Sequence, residues 1–364
     1  MIVAPLSALS RRTRLFKLAK YLQARGRTVE HTAWERCPGE AIEKGLDDDV
    51  RKRLLLRGGG YGGRRARAMY LPWMLRVLIA CLGIERNRTV WALGFESAFP
   101  AVLAGKVRRF KVVFDDADRF SLLFPLPRWI RAIVTRLEAW TSRNSDVHVV
   151  PGEERYDFES DKFLVVRNMP SAIELQAARE IGPPERPDAD VVVNVNGWLG
   201  SGRGMTTALE VARRLQGERV AFLLVGKIDC EDAAALARLG NVVSLGEVSN
   251  ANALATYLAS DYVFTYYQPD TIINRFAQSN KWGDAVKTSV GVIVNSEVET
   301  AEYLRKAGAA ISVAYDDVDG LCRELRSCLA DRSRVMAHRK AAGLLGEQAG
   351  FYEDSLDAIF NGDF

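Results

Sequence analysis

The stretch that decides the fold is residues 261–296, DYVFTYYQPDTIINRFAQSNKWGDAVKTSVGVIVNS. Residues 262–267 and 290–295 are apolar and β-branched, the composition of two short buried strands. Between them lie a loop with a proline and several amides, then a helix opening near Ser279-Asn280. Open α/β sheets receive anionic ligands at such a place, because free N–H groups and the helix dipole converge where a strand gives way to a helix. Lys281 and Asp284 lie one turn apart on that helix and share a face. A cation for a phosphate and a carboxylate for a sugar hydroxyl suit a nucleotide-sugar. The plain alternative is a surface ion pair on an ordinary crossover helix.

Outward from this stretch, strand and helix alternate along the whole chain. On the C-terminal side, residues 310–313 continue the sheet, and 299–307, 318–329 and 334–345 read as helices. On the N-terminal side come strands at 242–245, 220–225 and 190–195. The last runs into NGWLGSGRG, a glycine-rich loop with Gly197, Gly202, Arg203 and Gly204 that opens a helix over 205–216. Loop amides and a guanidinium at a helix N-terminus can hold a diphosphate. Tyr266 and Tyr267 end their strand beside this loop, bordering the donor or simply packing.

A second α/β set occupies residues 1–170. It opens with a strand at 2–6, a turn with Arg11 and Arg12, a helix at 14–23 and a strand at 28–32. Residues 36–69 read as a mobile basic loop. Gly58, Gly60 and Gly63 match a dinucleotide fingerprint in spacing only, without a strand leading in. Residues 69–84 form an apolar stretch, too short and interrupted to span a bilayer, that suits a core helix, a membrane surface or the lining of an acceptor groove. Three further strands end in Glu96-Ser97, in Asp115-Asp116-Ala117-Asp118 and in Pro151-Gly152. Carboxylates just past strand ends stand at the functional edge of an open sheet, unless they only cap helices. Residues 171–188, with Pro183-Pro184, read as a linker.

The chain has 364 residues, enough for two domains with their own cores. Five scattered cysteines without a CxxC pair point to reduced thiols and a cytoplasmic protein, with no signal peptide expected. Three histidines far apart make a His-based metal site unlooked for. Residues 1–170 carry a net charge of +12 and the remainder −8, so the first half is expected to face something anionic.

Gly197 with Arg203-Gly204, Asn280-Lys281-Trp282-Gly283-Asp284 and Gly291-Val-Ile-Val together resemble the GT-B glycosyltransferases over nearly the full length. The resemblance implies an α/β fold of two Rossmann-like domains facing each other across a cleft. An acceptor-binding domain would span 1–170 and a nucleotide-sugar-binding domain 171–346, with a helix in 347–364 returning to the first. Retaining members of the family-4-like kind carry two glutamates with seven residues between them; here those positions hold Phe276 and Asp284, and Asp284 would bind the ribose hydroxyls. A closer likeness is to the membrane-associated, inverting glucuronosyltransferase of xanthan synthesis, through Phe95-Glu96-Ser97, Lys111 to Asp118, and Tyr266 with Lys281. It implies Asp118 as general base; the need for a carboxylate near the acceptor hydroxyl adds Asp115 behind it and Glu96 as a second candidate for acceptor binding or base work. The same likeness implies Lys281 as a nucleotide-phosphate contact, with Asn280 beside it in the donor-binding run of the GT-B resemblance.

The expected partners are a nucleotide-sugar donor, UDP-linked by resemblance, a glycan or lipid-linked acceptor in surface polysaccharide synthesis, and an anionic membrane surface. Neither nucleic acid nor an obligatory metal or cofactor is expected. Two other classes fit less well. A nucleotide-sugar epimerase would need histidine chemistry that this sequence scarcely offers. A non-catalytic binding protein would not need acidic strand ends as well as a phosphate loop.

Overall fold

A computed structural model describes residues 1–40 and 50–361. They form two units, residues 1–166 together with the segment from Leu356, and residues 167–355.

The first unit is built on a parallel sheet of seven strands in the order β3-β2-β1-β4-β5-β6-β7. The strands are β1 (Ile2–Ala4), β2 (Val29–Glu35), β3 (Val50–Arg57), β4 (Thr89–Leu93), β5 (Lys111–Asp115), β6 (Val147–Val150) and β7 (Phe163–Val165). The central ones are continuous apolar runs because both faces of the sheet are covered. Helix α1 (Thr13–Ala24) follows β1. Helices α2 (Gly63–Ala68) and α3 (Tyr70–Leu82) follow β3, α4 (Phe95–Arg108) follows β4, and α5 (Phe120–Leu123) and α6 (Arg128–Asn144) follow β5. The chain winds toward one edge through β2 and β3 and toward the other from β4 onward. Right-handed crossovers therefore place α1 on one face and α3, α4 and α6 together on the other. Trp34, Trp73, Phe95 and Phe114 fill the core beneath the latter layer.

Two expectations for this unit need correction. A strand does lead into the glycine-rich turn: VRKRLLLR is β3, the edge strand, whose alternating charges suit an edge and hide its strand character. Residues 63–68, expected in a mobile loop, form α2. Residues 41–49 of that expected loop lie outside the described residues.

The second unit carries a parallel sheet of six strands, β10-β9-β8-β11-β12-β13. They are β8 (Val191–Leu199), β9 (Val220–Ile228), β10 (Val242–Gly246), β11 (Tyr262–Thr265), β12 (Gly291–Asn295) and β13 (Ala310–Val313). Its helices are α7 (Ala172–Ile181), α8 (Met205–Arg214), α9 (Glu231–Leu236), α10 (Asn250–Ala255), α11 (Ile272–Arg275), α12 (Asn280–Lys287), α13 (Glu302–Lys306), α14 (Val318–Ala330) and α15 (Arg332–Gln348). The first half of the expected linker is thus the helix α7, started by a reciprocal capping box between Ser171 and Glu174.

Helix α12, from the deciding stretch, is clamped on both sides. A Cβ on Gly283 would lie 2.1 Å from the Asn168 carbonyl oxygen, and one on Gly346 of α15 the same distance from that of Val286. The helix therefore lies closer to its neighbours than any side chain would allow. A last helix, α16 (Tyr352–Asn361), supplies Leu356 onward to the first unit. There Tyr21 donates a 2.6 Å hydrogen bond to Asp357, and Phe360 stacks on Tyr21 and Trp91.

Candidate active site

In each sheet the strand order reverses at one point, beside β1 in the first unit and beside β8 in the second. Two neighbouring connections leave in opposite directions at such a point and open a crevice at the C-terminal strand edge, where open α/β sheets bind ligands.

In the second unit the crevice is bordered by the ends of β8 and β11. Gly204 takes a left-handed conformation (φ 70°) and ends a short turn that opens α8. A Cβ there would stand 2.6 Å from that of Tyr266, so only glycine fits. The turn is pinned by Gly204 N–H donating to the Tyr315 hydroxyl at 3.1 Å and by Gln268 N–H donating to the Gly202 carbonyl at 3.1 Å. Lys281 reaches the end of β8 from α12: its Cε lies 3.4 Å and its Nζ 3.7 Å from where a Cβ would be on Gly197, which belongs to the last part of that strand rather than to the loop expected there.

Lys281 is half-buried and, among the described residues, ion-pairs with no carboxylate. Burial, reinforced by the charge of Arg203 and opposed by that of Asp284, brings its ammonium down to about 8. Arg203 stacks over the Tyr267 ring at 4.4 Å and likewise has no ion-pair partner among the described residues. Ser279 makes no side-chain cap on α12, and its carbonyl accepts only the Trp282 N–H at 3.2 Å, so its side chain leaves the N–H groups of Asn280 and Lys281 unoccupied. Two adjacent cations with no ion-pair partner among the described residues, set between two helix N-termini, form a place for an anion.

The two tyrosines part company here. Tyr266 is buried against Phe264 and Tyr315, so it packs the floor beneath Gly204. Tyr267 faces Arg203, and its backbone N–H and carbonyl are both held by the Asn295 side chain, at 2.9 and 3.1 Å. Asp284 is half-buried one turn beyond Lys281, and Asn280 is exposed at the start of α12. Gln268, Asn295 and Tyr315 were not legible as site residues, because the first and last meet the turn, and Asn295 meets Tyr267, only through tertiary contact.

In the first unit the crevice is a cavity of about 400 Å³ whose walls include Leu6, Leu93 and Gly94 at the ends of β1 and β4. It holds Glu96 and Asp118 together with Arg12, Arg36, Tyr61 and Tyr70. Glu96, 6% exposed, lies in the first turn of α4, tight against Gly94. Burial pushes its carboxyl up to about 7, although Arg36 and Arg12 pull the other way. Arg36, equally buried, donates to the Pro5 carbonyl at 2.9 Å and to the Tyr70 hydroxyl at 3.2 Å.

Asp118 is 38% exposed and accepts a 3.1 Å ion pair from Arg12. Its turn is fixed from behind. The Asp116 N–H donates to Val149, Tyr156 donates to the Asp116 carboxylate, and Arg155 donates to the Ala117 carbonyl. The following Arg119 is buried in an ion pair with Glu138. Helix α5 has no side-chain cap, so Asp118 does not serve as one. Asp115 lines no part of the cavity: fully buried, it pairs with Arg14 at 2.9 Å and accepts from Trp91 Nε1 at 2.8 Å, tying α1 and β4 to β5. Arg36 and Tyr61 come from the region read as a basic loop and Tyr70 from the apolar helix after it, and no motif announces them.

No protein-family model and no curated protein sequence matches the chain. Solved structures match it along its length. A glycosyltransferase from Rickettsia africae ESF-5 is 14% identical with a TM-score of 0.68, over 99% of this chain and 96% of that one. A structure described as trehalose-6-phosphate from E. coli bound with UDP-2-fluoro glucose is 10% identical with a TM-score of 0.66, over 99% and 98%. Sucrose-phosphate synthase from Thermosynechococcus elongatus is 16% identical with a TM-score of 0.65, over 100% and 96%. The fold is therefore that of the GT-B glycosyltransferases, two Rossmann-like α/β domains with parallel sheets.

Proposed function

We propose that this chain is a glycosyltransferase that moves a sugar from a nucleoside-diphosphate sugar to a glycan or lipid-linked acceptor in surface polysaccharide synthesis. The observation that carries the reading is the Arg203–Lys281 pair: two cations with no ion-pair partner among the described residues, at the glycine-bearing end of β8 and the turn after it, where the second sheet reverses. A diphosphate supplies the missing charge. In this reading Asp284, one turn along α12, takes a ribose hydroxyl. The UDP named in the E. coli structure and the resemblance to a glucuronosyltransferase make UDP-glucuronate the first donor to try.

The sugar–diphosphate bond breaks as an acceptor hydroxyl bonds to the anomeric carbon. Arg203, Lys281 and the amides before α8 and α12 offset the charge that develops on the leaving diphosphate, so no obligatory metal is expected. The acceptor proton passes to a carboxylate of the first-unit cavity. Glu96 leads for that role, because a base with a pKa near 7 combines availability with strength. Asp118, paired with Arg12, is the alternative base and otherwise orients the acceptor. Direct displacement by an acceptor so activated inverts the anomeric centre.

The test is incubation with a panel of nucleotide-sugars, with and without glycan acceptors, followed by analysis of all products. The proposal expects free nucleoside diphosphate together with a glycosylated acceptor or free sugar. An epimerised nucleotide-sugar, or tight binding with no turnover of any donor, would replace it with one of the other two readings.

A further inference from the structure

The outward faces of α3 and α6 are apolar where a covered helix layer is ordinarily polar. On α3 the exposed side chains Leu71, Leu75 and Ile79 recur every four residues, Leu71 at 75% and Ile79 at 62% exposure. On α6 the exposed Trp129, Ile133 and Leu137 keep the same spacing, with Trp129 at 67%. A four-residue step on a helix is one continuous stripe. Both helices pack on α4 and lie on the same side of the sheet, so the two stripes belong to one surface. A monomeric soluble surface rarely aligns that much apolar area, and its presence marks an interaction site.

Charge identifies what covers it. Arg76 and Arg136 lie exposed within the two stripes, and Arg64 and Arg65 of α2 lie exposed just before α3. The acidic residues of α2, α3, α4 and α6 are Glu96 and Glu138 alone, and both are buried. A surface of large apolar side chains set among arginines, with no exposed carboxylate on its helices, complements an anionic lipid interface. No helix of the described residues is long and apolar enough to cross a membrane, so the stripes would lie in the interface rather than span the bilayer. The stripes also begin beside the cavity. Leu71 follows the cavity residue Tyr70, and Trp129 stands five residues after the cavity residue Phe124.

We propose that the α3–α6 face docks on an anionic bilayer surface, its leucines, isoleucines and tryptophan entering the headgroup boundary and its arginines pairing with lipid phosphates. The docking stands independently of the activity proposed above, and its test needs no turnover.

The experiment is co-sedimentation of the purified full chain with vesicles of phosphatidylcholine alone and with about one third phosphatidylglycerol, at low and high salt. Mass is measured in parallel by sedimentation equilibrium. Binding is expected to the anionic vesicles and to weaken with salt. Replacing Arg64, Arg76 and Arg136 together by Ala should lower the partition coefficient about 100-fold, at roughly five-fold per basic residue. Ile79→Ser with Ile133→Ser should lower it at least ten-fold while leaving the melting temperature unchanged, since both side chains point to solvent. Protein that stays in the supernatant with anionic vesicles at low salt overturns the proposal. So does equal binding by the serine variant. A wild-type dimer that the serine substitutions turn into monomers would assign the face to a second copy of this chain instead.

Discussion

Lys281→Met should make the protein more stable and less able to bind its nucleotide, an opposition that no structural role for Lys281 produces. Methionine keeps the length of the aliphatic stem that passes Gly197 and removes the charge. The ammonium, displaced from its ordinary 10.5 to about 8, is charged at neutral pH in a place that disfavours charge. A displacement of that size corresponds to about 3 kcal/mol, which solvent around a half-buried amine reduces to about 1–2 kcal/mol. Below pH 8 the folded and unfolded chains are both protonated, so the whole penalty is present. Between pH 8 and 10.5 the folded chain sheds the proton first, and the penalty is relieved. The methionine variant should therefore exceed wild type in denaturant titrations at pH 7, and the difference should shrink toward pH 10.

Binding should move the opposite way. A charge-assisted contact to phosphate contributes about 1.5–3 kcal/mol, so the dissociation constant for a nucleoside diphosphate should rise about 10- to 150-fold. The proton supplies a further signature. At about pH 8.5 roughly three quarters of Lys281 is neutral in the free protein, and a bound diphosphate would draw about 0.7 of a proton onto it. Calorimetry in two buffers of different ionisation enthalpy measures that uptake, which Lys281→Met should abolish. A variant that is less stable than wild type at pH 7, or that binds nucleotide as wild type does, refutes the assignment of Lys281 as an anion contact held ready.

Three further substitutions probe the two crevices. Glu96→Gln should lower turnover about 10²–10⁴-fold with nucleotide affinity unchanged, and wild-type kcat/KM should fall below a pKa of about 7 as the base is protonated. The same variant should be more stable than wild type above pH 7, because a carboxyl whose folded pKa is raised loses stability as pH climbs from 4.5 through about 7. Asp118→Asn should cost turnover less than Glu96→Gln does; the reverse order in matched assays would return the role of base to Asp118 and leave Glu96 as an acceptor contact. Gly204→Ala places a Cβ 2.6 Å from that of Tyr266 at a φ of 70°, and should destabilise by about 1–3 kcal/mol while loosening nucleotide binding, read by melting temperature and calorimetry together.

The deciding stretch was legible because its chemistry is local. Two β-branched runs, a proline-containing loop and the Ser279-Asn280 helix start each state their structure within a few residues, and α12 begins where the sequence placed it. The glycine turn was legible for the same reason, since the φ of Gly204 requires a residue without a Cβ. What escaped depended on partners far away in sequence. Asp115 and Asp118 look alike on paper, and only Arg14 and Trp91, brought in by α1 and β4, turn the first into a buried structural group. Arg36 and Tyr70 stand 34 residues apart and meet because β2 lies next to β1 and α3 returns over the sheet edge. The capping box of α7, by contrast, was present as Ser171-x-x-Glu174 and was outweighed by the prolines that follow it.

The central claim is that the second unit holds a diphosphate between Arg203 and Lys281. Calorimetric titration of the intact protein with UDP, ADP and GDP, each beside its monophosphate, measures this most directly. The account predicts that at least one base gives a diphosphate that binds ten-fold or more tighter than its monophosphate, with the preference lost in Arg203→Ala and in Lys281→Met. Equal affinity for each diphosphate and its monophosphate, or a preference that survives both substitutions, would contradict it.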